Sequence, residues 1–129
     1  MSKSKISIIR DYCFAYSLPI IWAGVIFFLS AQTVLPGFSV SVYDFIFKKG
    51  AHMFVYAVLY ILLFRAYKKT NNTKITKKHY IVPIFISLIY ALADELHQSM
   101  VPGRYPTIRD AGYDMLGVLT VLLYQLKLL

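Results

Sequence analysis

Four long apolar stretches run through this chain, at about residues 13–31, 51–67, 80–97 and 108–126, and the polar residues gather at their ends. Each stretch has roughly the 17–25 residues that an α-helix needs to cross the hydrocarbon core of a bilayer. Residues 18–29 carry no charge on any face, so the polar stripe of a water-facing helix is missing there. The pattern predicts an all-α, polytopic membrane protein: a bundle of four transmembrane helices forming one domain over residues 1–129. A soluble helical bundle is excluded by the same windows.

Composition agrees, with 58% of residues hydrophobic and 16% charged. Pro19 falls in the first half of the first helix, where membrane helices tolerate a kink. Pro36-Gly37 and Asn71-Asn72 read as turns. The second helix is expected to start near Lys48-Lys49-Gly50, with 40–47 lying in the interface as a short amphipathic segment. The third is expected from Tyr80, with Pro83 in its first turn. The fourth follows the stiff connection 101–107, with Thr107 as N-cap and Asp110 in the first turn, where the helix dipole favours an anion. The amino terminus is basic and then apolar like a signal peptide, but no small-x-small pair closes the run, so it reads as an uncleaved first helix. Cys13 is the single cysteine, which excludes an intrachain disulfide.

The net charge of +8 raises the question of nucleic acid, and its distribution answers it. Lys3, Lys5, Arg10, Arg65, Lys68, Lys69, Lys74, Lys77, Lys78 and Lys127 fall on one side of an alternating four-helix topology. Lys48, Lys49, Arg104 and Arg109 fall on the other. Short basic loops stay in the cytoplasm, so both termini are expected there. The basic connection 68–78 is a topogenic loop facing anionic lipid headgroups, with no nucleic-acid role.

Of the six acids, five (Asp44, Asp94, Glu95, Asp110 and Asp114) lie beside or inside the apolar stretches. An acid near the centre of a membrane helix costs about 2.5–3.5 kcal/mol on insertion. Such residues need partners, and they mark candidate sites. Lys49, His52 and Tyr56 share one helix face by their spacing of three and four. Asp94 and Gln98 are four apart, Glu95 and Gln98 three apart, and Asp110, Asp114 and Gly117 again follow one face. If the helices alternate, all of these reach the outer membrane level, where Ser30 and Gln32 end the first helix and Arg104 and Arg109 sit in or beside the last connection. Of the adjacent pair Asp94 and Glu95, Glu95 with Gln98 is the better site candidate. His97 is expected to face the headgroups. A metal site would need three or four of His52, Glu95, Asp110 and Asp114 to converge, which spacing does not establish, so no metal and no cofactor is assigned. A retained proton on a carboxyl in apolar surroundings accounts equally well for the acids.

Taken in order, Phe28-Leu29-Ser30-Ala31-Gln32, Lys49-x-x-His52-x-x-x-Tyr56, Asp94-Glu95-x-x-Gln98, Pro102-Gly103-Arg104 and Asp110-x-x-x-Asp114-x-x-Gly117 resemble the VanZ-like family of bacterial membrane proteins. The resemblance covers nearly the whole chain from residue 13 onward and rests on the order and spacing of the motifs together. The family usually has Asn at the position of Asp114, so this chain carries an additional acid there. The resemblance implies a multi-pass protein of the bacterial cytoplasmic membrane, associated with resistance to teicoplanin and related lipoglycopeptides.

Two functions of different class follow. In the first, an outer-leaflet polar cluster recognises a lipid-linked or anionic ligand, such as a lipid-linked cell-wall precursor or a lipoglycopeptide. Lys49, Tyr56, Gln98, Arg104, Arg109, Asp114 and Gln32 would contact it, and the fork of Arg104 suits phosphate or carboxylate. In the alternative, a membrane-embedded enzyme modifies a lipid or cell-wall precursor, with Glu95, His52 and Asp110 supplying acid–base chemistry. No Ser or Cys stands in a nucleophile motif. A transporter is the third reading, and the apolar inner halves of the second and fourth helices count against it.

Overall fold

A computed structural model describes residues 4–33, 37, 39–71 and 74–129. Lys3, and the Pro36 and Asn72 members of the two expected turns, lie outside the described residues. Four helices follow one another: α1 (Lys5–Ser30), α2 (Ser41–Thr70), α3 (Lys77–Ser99) and α4 (Ile108–Gln125).

Their starts are set by local chemistry. Ser4 caps α1, its hydroxyl accepting from the Ser7 N–H at 3.2 Å. Helix α2 begins at Ser41, so 40–47 is no separate interfacial segment. No proline or glycine interrupts 41–49, and the Asp44–Lys48 ion pair, one turn apart at 2.8 Å, supports the first turns. Helix α3 begins at Lys77, ahead of the expected Tyr80. The Thr76 N–H donates to His79 Nδ1 at 3.0 Å, closing the helix start, and Pro83 falls in the second turn rather than the first. Helix α4 starts at its expected cap. The Thr107 N–H and hydroxyl each donate to Asp110 Oδ2 at 3.1 Å.

Helices α1, α2 and α3 are long and apolar enough to cross a membrane. Helix α4 is shorter, and Arg109, Asp110 and Asp114 within its 18 residues keep it below that apolarity. Exposed Phe14, Leu18, Ile21 and Phe28 on α1, and Phe85, Ile89 and Leu96 on α3, form faces that lipid tails satisfy and water does not. Cys13 is exposed on α1.

The core is built on α2. Tyr56, Leu59, Tyr60 and Leu63 are buried against Ala91 of α3 and Ala111 and Val118 of α4. Helix α4 packs most extensively on α2 and also on α3, while α1 lies along α2 and meets α3 only slightly. Two side chains tie α1 to its neighbours. Trp22 Nε1–H donates to the Val55 carbonyl at 2.8 Å, and the Tyr90 hydroxyl donates to the Ala23 carbonyl at 2.5 Å. At the far end, the Tyr60 hydroxyl donates to Gln125 Oε1 at 3.0 Å, and Lys69 Nζ stands 4.4 Å above the Phe14 ring.

The α2–α4 seam requires a glycine. A Cβ on Gly117 would overlap the Met53 backbone, whereas one on Gly24 would meet nothing. Small residues at such crossings let two membrane helices approach closely. Gly117→Ala is therefore expected to destabilise the bundle by about 1–3 kcal/mol, and Gly24→Ala to leave it unchanged or slightly firmer. Thermal unfolding of both variants in detergent, followed by circular dichroism, measures the difference.

Candidate functional site

The carboxyl ends of α1 and α3 and the amino-terminal parts of α2 and α4 meet at one end of the bundle. Three polar links hold them there. Lys49 of α2 pairs with Asp110 Oδ1 of α4. One turn further, His52 Nδ1 lies 2.8 Å from Asp114 Oδ1. Gln98 of α3 donates from Nε2 to Ser30 Oγ of α1 at 3.3 Å and to Asp94 Oδ2 at 3.1 Å.

Each link follows from helical spacing. Lys49 and His52 are three apart and Asp110 and Asp114 four apart, so the two pairs stack along one seam. Asp110 uses both carboxylate oxygens, one on Lys49 and one on the Thr107 cap, so the ion pair also fixes where α4 begins. The Lys49 ammonium stands 5.7 Å from the Phe45 ring centre and 5.3 Å from that of Tyr113, in cation–π range of both.

Between these elements lies a cavity of about 450 Å³. Lys49, His52, Tyr56, Asp94, Gln98, Arg104 and Asp110 provide its polar wall, and Ile26, Leu29, Phe47 and Val55 part of its apolar wall. Arg104 is half-buried, and its Nη2 donates to Gln98 Oε1 at 2.9 Å. Gln98 thus joins α1, α3 and the last connection, with both ends of its amide used. Gly103, at φ +80°, supplies the left-handed turn that brings Arg104 back over the cavity.

Of the residues singled out from spacing, Lys49, His52, Tyr56, Gln98, Arg104 and Asp110 come together on the cavity wall. Glu95 and Asp114 lie off that wall but within one cluster with His52, their ligating atoms all within 4.8 Å of one another. Asp114 is 0% exposed. Arg109 is exposed and lines no part of the cavity, and the Gln32 amide turns back to the Phe28 carbonyl at 3.0 Å. His97 stacks on Phe27, ring centres 4.2 Å apart, instead of facing headgroups.

Two partner choices were not fixed by spacing alone. Gln98 bonds Asp94 rather than Glu95, because the four-residue spacing puts the amide directly above the Asp94 carboxylate. Arg104 bonds Gln98 rather than Asp110, whose oxygens are already engaged. Asp94 and Ser30 complete the cavity wall. The four-residue step from Asp94 to Gln98 was the available signal for the first, and the place of Ser30 at the end of the first apolar stretch for the second.

The family model described as VanZ/LLP1 matches residues 13–128, nearly the whole chain. The chain belongs to the VanZ/LLP1 family. No curated protein and no solved structure matches it. The matched region of this VanZ/LLP1 member contains every helix-borne residue of the cavity wall and of the three polar links.

The Lys49–Asp110 link makes a quantitative prediction. Lys49→Met leaves Asp110 without its cation, and Asp110→Asn removes both the pair and part of the cap. Each variant should unfold more readily than the parent, and the double variant should lose less than the sum, with a coupling of about 0.5–3 kcal/mol. A double-mutant cycle on thermal or denaturant unfolding in detergent provides that number.

Proposed function

We propose that this VanZ-like protein resides in the bacterial cytoplasmic membrane and protects the cell envelope against teicoplanin and related lipoglycopeptides. It does so by binding the anionic part of a lipid-linked or lipid-tailed ligand at the outer leaflet. The observation that carries this reading is the cavity itself: Arg104 and Lys49 line it together with apolar side chains, at the end of a lipid-facing bundle. A guanidinium has five N–H donors in a fixed fork, and its bond to Gln98 uses one. An anionic headgroup would engage the cations while the tail follows the apolar helix surface.

The topology that goes with this function has four spans and both termini in the cytoplasm. Burial of Asp110 and Asp114 against α2 and α3 supports α4 as a span despite its acids, since their charge faces protein and not lipid. The run of basic residues from Arg65 to Lys78 supports a cytoplasmic α2–α3 connection. Reporter fusions check this: a carboxyl-terminal fluorescent protein should light up, and alkaline phosphatase at the same site should stay inactive.

A second reading, an enzyme modifying a lipid or cell-wall precursor, is favoured by the His52–Asp114 contact. A ring nitrogen held by a carboxylate is the arrangement that orients a general base. One experiment separates the two. Teicoplanin and vancomycin susceptibilities are measured in a sensitive Gram-positive host expressing the parent chain, Arg104→Ala or Glu95→Gln, with membrane levels checked by blot. Binding predicts protection selective for teicoplanin that Arg104→Ala loses and Glu95→Gln largely keeps. Loss of a charged contact of this type weakens binding by about tenfold or more. Chemistry predicts that Glu95→Gln abolishes protection. Absence of protection by the parent chain would sink the glycopeptide reading altogether.

A further inference from the structure

Charge at the polar end of the bundle does not balance. Asp110 is matched by Lys49, and Asp94 accepts from Gln98. Glu95 and Asp114 face the same small volume, with His52 as their common neighbour. Asp114 is 0% exposed, and its Oδ2 has no hydrogen-bond partner among the described residues. Both Glu95 carboxylate oxygens are buried and equally without one. Three unsatisfied carboxylate oxygens beside a single imidazole, in a bundle of lipid-facing helices, are costly unless something positive joins them.

The geometry points to a divalent metal site formed by His52 of α2, Glu95 of α3 and Asp114 of α4. One imidazole nitrogen and two carboxylate oxygens lie within 4.8 Å of one another, close enough to surround one ion after side-chain adjustment. The 2.8 Å between His52 Nδ1 and Asp114 Oδ1 is near the separation of about 3 Å between adjacent ligands in an octahedron with bonds of about 2.1 Å. Two carboxylates and a neutral imidazole bring a dication to zero net charge, the condition for a stable ion in a low-dielectric setting. Mixed imidazole and carboxylate donors favour Zn²⁺ or Mn²⁺; Mg²⁺ and Ca²⁺ prefer oxygen alone.

The site has a direction. Three helices each contribute one ligand, so the ion would fasten α2, α3 and α4 together at the level where α4 is least apolar. His52 also lines the cavity that Lys49 and Arg104 share. Three protein ligands leave coordination positions for water or for an anionic oxygen arriving through the cavity. The metal site stands on the cluster alone and holds whether or not the ligand of the cavity is a glycopeptide.

The test uses the full chain, purified without a tag in detergent and stripped with a chelator. Zn²⁺, Mn²⁺, Mg²⁺ and Ca²⁺ are titrated by calorimetry, and metal content is read after desalting. The expected result is one Zn²⁺ or Mn²⁺ per chain, with Mg²⁺ and Ca²⁺ binding far more weakly. Glu95→Gln and Asp114→Asn, which keep side-chain size, should each weaken binding at least tenfold, while Asp44→Asn, outside the cluster, should not. Pulsed electron paramagnetic resonance of Mn²⁺ on the unmutated chain reads the ligand set without relying on any variant, and one coordinated nitrogen is expected. No stoichiometric binding of Zn²⁺ or Mn²⁺, binding unchanged in well-folded Glu95→Gln and Asp114→Asn, or bound Mn²⁺ without a nitrogen ligand would each overturn the proposal. None of these results depends on drug susceptibility, so the site and the protective function fail independently.

Discussion

A carboxylate sealed from solvent between helices sets the terms for this bundle. Asp114 sits on α4 with no exposed surface, and a buried acid of that kind must be met by a partner at close range. The α2–α4 seam is arranged to meet it. Gly117, three residues on, lets α4 press against the Met53 backbone. That approach puts His52, the residue before Met53, 2.8 Å from the Asp114 carboxylate. One turn toward the end of the bundle, Lys49 and Asp110 repeat the arrangement and lock the first turn of α4. Without the close crossing neither pair could form, and without the pairs the crossing would trap uncompensated charge.

The two ends of the bundle consequently do different work. At the end formed by the start of α2 and α4, charge is drawn inward, the polar groups are shared between helices, and a cavity opens beside them. At the other, the charges of α2 and α3 point outward as lysines and an arginine, and the helices meet through the neutral bond from Tyr60 to Gln125, the Lys69 ammonium over the Phe14 ring and aromatic pairs such as Tyr67 with His79. Between the two lies a layer of Tyr, Leu, Ala and Val packing with few polar groups. Among the described residues the inward-facing charges are therefore gathered at one end of the bundle, and the basic residues of the α2–α3 connection at the other.

Much of this was legible in the order of residues. Four apolar stretches gave four helices, and the three- and four-residue steps correctly grouped Lys49 with His52 and Tyr56, and Asp110 with Asp114 and Gly117, because helical geometry fixes which residues share a face. Which neighbour each face meets was less legible. The four-residue step pairs Asp94 with Gln98 inside α3, but the rotation of α3 about its own axis decides that Glu95 turns toward His52. That rotation is set by packing across α1, α2 and α4, which no local spacing encodes. The start of α2 was missed for a related reason. Lysines and a glycine at 48–50 look like a boundary, yet Ser41 to Lys49 contains nothing that stops a helix, and the Asp44–Lys48 pair favours continuing it. Helix α4 stays the least clear of the helices in sequence, since the acids that pair with α2 also lower its apolarity.

The way α1 is held has a consequence for how this protein can vary. Trp22 and Tyr90 both donate to main-chain carbonyls, those of Val55 and Ala23. A backbone carbonyl is present whatever side chain its residue carries, and it keeps a second lone pair while serving its own helix. These two attachments thus depend on the donor side chains and not on the side chains of the residues that accept, whereas the Gln98–Ser30 bond at the end of α1 needs a side chain on both sides. For these two bonds residues 23 and 55 supply only main chain, and their side chains answer to core packing instead, while 22 and 90 are bound to side chains with a polar tip on a large ring. The lipid-facing surface of α1 can then diverge from one host membrane to another without loosening the helix from the core.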